Sequence, residues 1–314
     1  MTHSKLEWIS VEVDTHCNVR CTMCPIHDDK VHNQGRIQLQ TIERITELAR
    51  GWTDKICLAV MGEPLLHPQV TDMIRIINDA GFKSLLWTNG LLVNERRARG
   101  VLEAGLDKIV FSFEIVDKEL HERIRKGAQY DKVRANLDRF LQLKSEIHPK
   151  TEVSIWNILP DRSRGLEIPD HIRDAYPGVE IYCSYAMDWH GEVKVETSQE
   201  ELGDPAPCNQ IQNYASIAWN GDVMACCNDF NHEYILGNVF EAKSFDEIWF
   251  GRRRFELIEK MTCGALADVK PCGTCSAPYV KRGVDRVFAK DAELFQGKAA
   301  SNAAKQIDGR HAVS

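Results

Sequence analysis

Three cysteines fall within a short stretch near the start of the chain, spaced Cys17-x3-Cys21-x2-Cys24. Three thiolates are one short of a closed structural zinc site and leave a coordination position open. In a four-iron cluster they would hold three irons and free the fourth to bind the amine and carboxylate of a small molecule, which is the arrangement chemistry requires. The competing reading is a zinc knuckle completed by His16 or His27. A second set, Cys208, Cys226, Cys272 and Cys275, has the spacing C-x17-C-x45-C-x2-C. By spacing alone it suits zinc or a cluster equally.

The elements that must position these residues follow from periodicity. Apolar, β-branched runs at 7–13, 55–60, 83–87, 108–113, 152–157 and 179–184 read as strands. Helical patterns lie near 39–50, 69–80, 93–104, 130–146 and 164–175. Strands separated by helix-sized connections are parallel, in βα units. Six such units predict an α/β fold: a partial (β/α)6 TIM-like barrel with a small C-terminal α+β domain. In this architecture reactive groups sit on the loops that follow the strands. The first cysteine group follows strand 1, Gly62-Glu63-Pro64 follows strand 2, Thr88-Asn89-Gly90 follows strand 3, and Ser112 with Glu114 closes strand 4.

Residues 185–207 lose periodicity and gain acids, Gly and Pro, which gives the expected division: a barrel at 1–185, a linker at 186–207, a cysteine-rich domain at 208–290 and a polar tail at 291–314. The second domain opens with a hairpin turning at Asn220-Gly221. A helix near 245–260 follows, with Arg252-Arg253-Arg254 expected on its solvated face and Cys263 in the loop beyond it.

Taken together these motifs resemble the radical S-adenosylmethionine (SAM) superfamily, and Gly221-x4-Cys226, Leu236-Gly237-Asn238-Val239, Trp249 and Cys272-x2-Cys275 resemble its SPASM/twitch extension. Met23 and Met61 depart from the pattern, standing where the family often has an aromatic residue and the first Gly of its Gly-Gly-Glu motif. The resemblance implies two 4Fe-4S clusters, one that binds SAM through Cys17, Cys21 and Cys24, and one auxiliary cluster on Cys208, Cys226, Cys272 and Cys275. Cys226 matches the ligand position and Cys227 stands in reserve. It also implies that Gly62, Glu63 and Pro64 receive the SAM ammonium, where a carboxylate is chemically apt and Gly permits close backbone approach. Asn89, Ser112 and Glu114 offer polar groups to the ribose.

The implied activity is an oxidoreductase that forms a 5'-deoxyadenosyl radical and takes hydrogen from a hydroxylated sugar-like or aminoglycoside-like small molecule, most simply a dehydrogenation. Two alternatives are an epimerase with Cys263 as hydrogen donor and a maturase of a ribosomally made peptide. Asp188, His190, Asp229, His232 and Arg162 are further polar candidates that no spacing singles out. The expected partners are the substrate and a one-electron reductant such as flavodoxin or ferredoxin. A formal charge of -7 argues against nucleic acid. No stretch approaches a membrane span or a signal peptide, and eleven cysteines fit ligation in a reducing, cytoplasmic setting.

Overall fold

Strand β1 (Trp8–Asp14) alternates Ile9, Val11 and Val13 with Ser10, Glu12 and Asp14, and all six are buried. The apolar set packs into the main core, so the polar set occupies the opposite face of the strand. The same alternation recurs along the later strands of the computed structural model, which describes residues 5–160, 165, 167–193 and 207–275. Arg162, residues 194–206 of the expected linker and the tail from 276 lie outside the described residues.

In chain order the strands are β1, β2 (Arg20–Cys21), β3 (Lys55–Gly62), β4 (Lys83–Thr88), β5 (Lys108–Ser112), β6 (Arg125–Lys126), β7 (Glu152–Leu159), β8 (Glu180–Tyr185), β9 (Tyr214–Ile217), β10 (Asp222–Met224) and β11 (Ile235–Asn238). The helices are α1 (Leu39–Leu48), α2 (Val70–Asp79), α3 (Glu95–Glu103), α4 (Lys118–Ile124), α5 (Tyr130–Ile147), α6 (Asp170–Ala175), α7 (Asn209–Asn213), α8 (Phe245–Trp249) and α9 (Arg252–Cys263). The six predicted strands β1, β3, β4, β5, β7 and β8 pair in parallel in that order, which is the open, partial barrel read from the sequence. Helix faces cover one side of the sheet. The other, lumen-facing side carries Cys57, Leu85, Trp87, Val110, Ser112, Ser154, Trp156, Tyr182 and Ser184 by alternation.

The C-terminal strands extend the same sheet. Strand β9 pairs in parallel with β1, from Trp8 opposite Tyr214 to Val11 opposite Ile217, and β10 and β11 continue antiparallel. The hairpin turns where expected, with Gly221 at φ +89° and its amide on the Ala218 carbonyl. The division of the chain at 186–207 therefore stays a proposal about sequence; the hydrogen bonding runs across it.

Three local expectations are corrected. The single helix near 245–260 is two, α8 and α9, because Gly251 is extended and a Cβ there would lie 2.7 Å from the Glu247 carbonyl. Helix α9 then runs on to Cys263, which closes the helix instead of standing in a loop. The Arg252–Arg254 run is only partly solvated: Arg254 is buried over the Trp249 ring, with Nε donating to the Ile211 carbonyl and Nη1 to that of Trp249. Burial pulls its guanidinium down to about 10.

Trp52 ties the barrel to the C-terminal helices, its ring 5.1 Å from Phe245 and 5.5 Å from Phe250. Trp52→Ala is expected to cost about 3–5 kcal/mol in denaturant unfolding. Because β9 is bonded to β1, tryptophan fluorescence and far-UV dichroism should report one transition; two separated transitions would refute that coupling.

Candidate functional site

The first cysteine loop leaves β1 at Asp14, whose buried carboxylate is held by His16 Nδ1 at 2.8 Å and by Arg36. The loop is fixed at two of its three thiols. Asn89 Nδ2 lies 3.8 Å from Cys17 Sγ, and Arg125 Nη1 lies 3.9 Å from Cys21 Sγ. Strands β2 and β6 set Cys21 opposite Arg125, and the Thr22 amide donates to the Ile124 carbonyl at 2.7 Å. The Cys24 amide closes back onto the Cys21 carbonyl at 3.0 Å, and Pro25 opens a 3-10 turn.

Burial pushes the Cys17 and Cys24 thiols up to about 12, and Cys21 also upward although Arg125 opposes it. Thiolates at these positions therefore need a bound cation to compensate them. Among the described residues no group of three His, Cys, Asp or Glu side chains is placed to hold a single metal ion. Three thiols on one short loop suit a cofactor that keeps one coordination position open.

Two loops close on this one. The β1–β3 register slips between Glu12 and Asp14, Val60 takes φ +75° and Gly62 φ +82°. A bulge of this kind re-aims the end of a strand, and for β-branched Val the positive φ is strained. Gly62 is obligatory, since a Cβ would sit 1.9 Å from the Asp14 carbonyl oxygen. The Glu63 amide then donates to the His16 carbonyl at 2.9 Å.

The Glu63 carboxylate is buried and accepts from Leu65 N at 3.1 Å, Thr88 Oγ1 at 2.8 Å and Asn89 N at 2.8 Å. Burial outweighs these donors and raises it to about 7. Pro64 starts the 3-10 turn that Glu63 caps. Asn89 turns inward, with Oδ1 accepting from Leu91 N and Nδ2 donating to Asn18 Oδ1 at 2.8 Å. Both residues tie the loops after β3 and β4 to the cysteine loop, a role their sequence context did not announce.

Glu114 is likewise engaged. Arg125 donates Nε and Nη2 to its two oxygens at 2.7 Å each, and His121 Nδ1 lies 2.9 Å away. All three are buried. Burial alone would raise the Glu114 carboxyl, but Arg125 and His121 hold it at about 2. Arg125 and His121 were missed in the sequence; the signal was a second polar cluster, His121 to Lys126, on the short α4–β6 segment. Ser112 is partly exposed at the end of β5, opposite Trp156.

Cys208, Cys226, Cys272 and Cys275 are brought together around one recess, which His190 and Asn228 also line. Burial raises the Cys226 and Cys272 thiols, and each feels Cys208. The Cys227 sulfur lies 3.8 Å from Gln210 Oε1 and 3.6 Å from Asn228 Oδ1, two residues that also line the recess. The recess therefore fits a second thiolate-held cluster, with Cys226 among its lining residues. Cys263 is exposed and lines a separate open hollow with Glu256, Glu259 and Lys260.

Residues 189 and 190 join the two cysteine sets: Trp189 Nε1 donates to the Met23 carbonyl at 2.8 Å, and His190 Nε2 meets the Asn228 carbonyl at 2.9 Å. His232 Nε2 meets buried Glu12 at 3.0 Å, and Asp229 accepts the amides of Glu233 and Tyr234. Asp188 accepts the His190 amide. The bonded roles of Asp188 and Asp229 are thus within their own loops, whereas His232 ties its loop to β1.

The model of the radical SAM superfamily matches residues 11–156, and that of an iron-sulfur cluster-binding (SPASM) domain matches 208–276. A GTP 3',8-cyclase of Chlorobaculum tepidum is 32% identical over 58% of this chain, which spans 66% of that enzyme. A tungsten-containing aldehyde ferredoxin oxidoreductase cofactor-modifying protein of Pyrococcus furiosus is 24% identical over 79% of this chain and 82% of its own length. The crystal structure of BtrN in complex with AdoMet and 2-DOIA superposes with a TM-score of 0.58 at 18% identity, covering 88% of this chain and 93% of BtrN. No helix among the described residues is long and apolar enough to cross a membrane.

Two outcomes test the buried charges. Arg125→Met should cost about 3–5 kcal/mol in urea unfolding by stranding Glu114, and adding Glu114→Leu should recover most of it. Glu63 binds its proton more tightly when folded, so stability should fall as pH rises from roughly 4.3, the unfolded value, toward about 7. Glu63→Gln should flatten that slope in a pH series of melting curves.

Proposed function

Because the chain belongs to the radical SAM superfamily and carries its SPASM auxiliary-cluster domain, we propose that it dehydrogenates an alcohol carbon of a hydroxylated sugar-like or aminoglycoside-like small molecule. The observation that carries the substrate class is the lumen of the open barrel. Trp87, Trp156 and Tyr182 are partly exposed there and alternate with Ser112 and Ser184, also partly exposed. Trp156 stacks on Tyr182 at 6.3 Å, with Nε1 on Ser184 Oγ at 2.7 Å, so the rings are held in place. Flat aromatic faces suit the C–H faces of a saturated ring, and hydroxyls suit its edge.

When bound, the SAM-binding cluster and SAM would supply a 5'-deoxyadenosyl radical that takes one hydrogen atom and the auxiliary cluster an acceptor for one electron, while the hydroxyl proton is released to water. Cys17, Cys21 and Cys24 would hold the first cluster, and Cys208, Cys226, Cys272 and Cys275 the second. The chain's own part is positioning. Asn89 and Arg125 orient the Cys17 and Cys21 sulfurs, and Gly62 brings the β3 backbone against the cysteine loop. Glu63 locks that backbone to Thr88 and Asn89.

The placement of Cys263 supports dehydrogenation over epimerisation. A hydrogen donor must approach the substrate carbon, whereas Cys263 is exposed in a hollow it shares with Glu256, Glu259 and Lys260, none of which is among the residues lining the recess or the lumen face. A one-electron reductant of the flavodoxin or ferredoxin type completes the proposed system.

The test combines iron analysis with product analysis. After anaerobic reconstitution the native chain should hold about eight irons, and a Cys17, Cys21 and Cys24→Ala variant about four, without 5'-deoxyadenosine. Incubated with a panel of aminocyclitols and sugar alcohols, the native enzyme should give one carbonyl product per 5'-deoxyadenosine, and Cys263→Ala should match it. An epimer in place of the carbonyl, lost on Cys263→Ala, would overturn the reading.

A further inference from the structure

His190 is buried, at 5% exposure, and lines the recess of the second cysteine set. Its Nε2 lies 2.9 Å from the Asn228 carbonyl oxygen, and that oxygen only accepts, so Nε2 carries the proton. Among the described residues Nδ1 has no hydrogen-bond partner although it is buried. A lone pair held away from water without a donor is costly unless something else uses it.

The backbone also fixes this ring at a cost. Trp189, His190 and Gly191 take φ of +48°, +64° and +82° in succession. That region is sterically disfavoured for each non-glycine residue. The bend is enforced from both sides, by the Trp189 bond to the Met23 carbonyl, the His190 amide on Asp188 Oδ1 at 3.2 Å, and the Val193 amide on the Asp188 carbonyl at 2.9 Å. Asn228, which receives Nε2–H, stands two residues beyond Cys226 on the same loop.

A histidine whose outer N–H is fixed on a backbone carbonyl, while its other nitrogen is left unpartnered on a residue that lines a recess with four cysteines, has the arrangement of a metal-ligating imidazole. We infer that His190 is a fifth donor of the auxiliary site, with Nδ1 able to take the place of a thiolate on one iron. This rests on the reading that Cys208, Cys226, Cys272 and Cys275 hold that cluster. Four irons need four protein donors, so the site tolerates the loss of one thiolate at its rim. Cys275, partly exposed and the last of the four in sequence, is the one to remove. Exchange of a thiolate for neutral imidazole makes the cluster less negative and raises its reduction potential.

The experiment uses the full chain with Cys17, Cys21 and Cys24→Ala, labelled with 15N-histidine, so that the second cluster is observed by itself. This parent should hold about four irons; if it holds none, the ligand reading of the second set fails together with this inference. Adding Cys275→Ala should keep the iron, introduce a 15N hyperfine coupling in the reduced cluster and shift its midpoint potential upward. Adding His190→Ala as well should abolish both coupling and cluster, whereas His190→Ala in the parent should leave the iron unchanged. Loss of iron on Cys275→Ala alone, or its retention without nitrogen coupling, would overturn the inference while leaving the four-cysteine reading intact. Should Cys275→Ala fail to fold by far-UV dichroism, Cys208→Ala is judged by the same outcomes.

Discussion

The buried ion pair between Glu114 and Arg125 is the interaction on which the first cysteine loop depends. A carboxylate with no exposure is tolerable only if its charge is met, and here two Arg125 nitrogens at 2.7 Å and His121 at 2.9 Å meet it. The same guanidinium turns its remaining nitrogen to Cys21. Glu114 also accepts the Ile158 amide at 3.3 Å. One charge pair thereby joins the ends of β5, α4 and β7 to the loop that follows β1. The planar donor fork makes this possible: a lysine has no second and third nitrogen with which to reach both a carboxylate and a sulfur.

The fold was legible because the barrel strands are long β-branched runs with helices between them, and periodicity reports such elements directly. The three-cysteine loop was legible because its residues are neighbours in sequence. Glu63, Asn89 and Glu114 were located but given to the ligand alone, whereas their polar atoms also close one loop on another. That function depends on partners 25 residues away for Glu63 and Thr88, and 11 away for Glu114 and Arg125. No local pattern encodes such pairs. Arg125 and His121 lie on a segment too short for a periodic signal, and the two-residue ribbon β2–β6 is set by the tertiary contact it serves.

The continuation of the sheet from β1 into β9 changes how the two cysteine sets relate. Polar residues of β1 are the seam: Glu12 reaches His232 of the loop beyond Cys226 and Cys227, and Asn33 of the loop after the first set reaches the other nitrogen of that ring at 2.6 Å. Trp189, bonded to Met23, adds an apolar contact to Phe230 at 6.1 Å between ring centres. Both cysteine groups are therefore carried by one bonded framework. A shared sheet holds two such groups at a fixed separation better than a flexible linker between two bodies would.

Burial of the thiols explains why loading and folding are coupled in such a framework. Cys17 and Cys24 are raised to about 12 by desolvation, and Cys21, Cys226 and Cys272 are raised as well. Without metal the thiols stay protonated and the interior holds no uncompensated sulfur charge. Ligation replaces those protons with iron, so assembly releases protons and its free energy adds to that of the fold. The positive groups already in place are few. Arg125 is largely spent on Glu114, and Asn89 offers only a dipole, so the compensating charge must come from the metal itself.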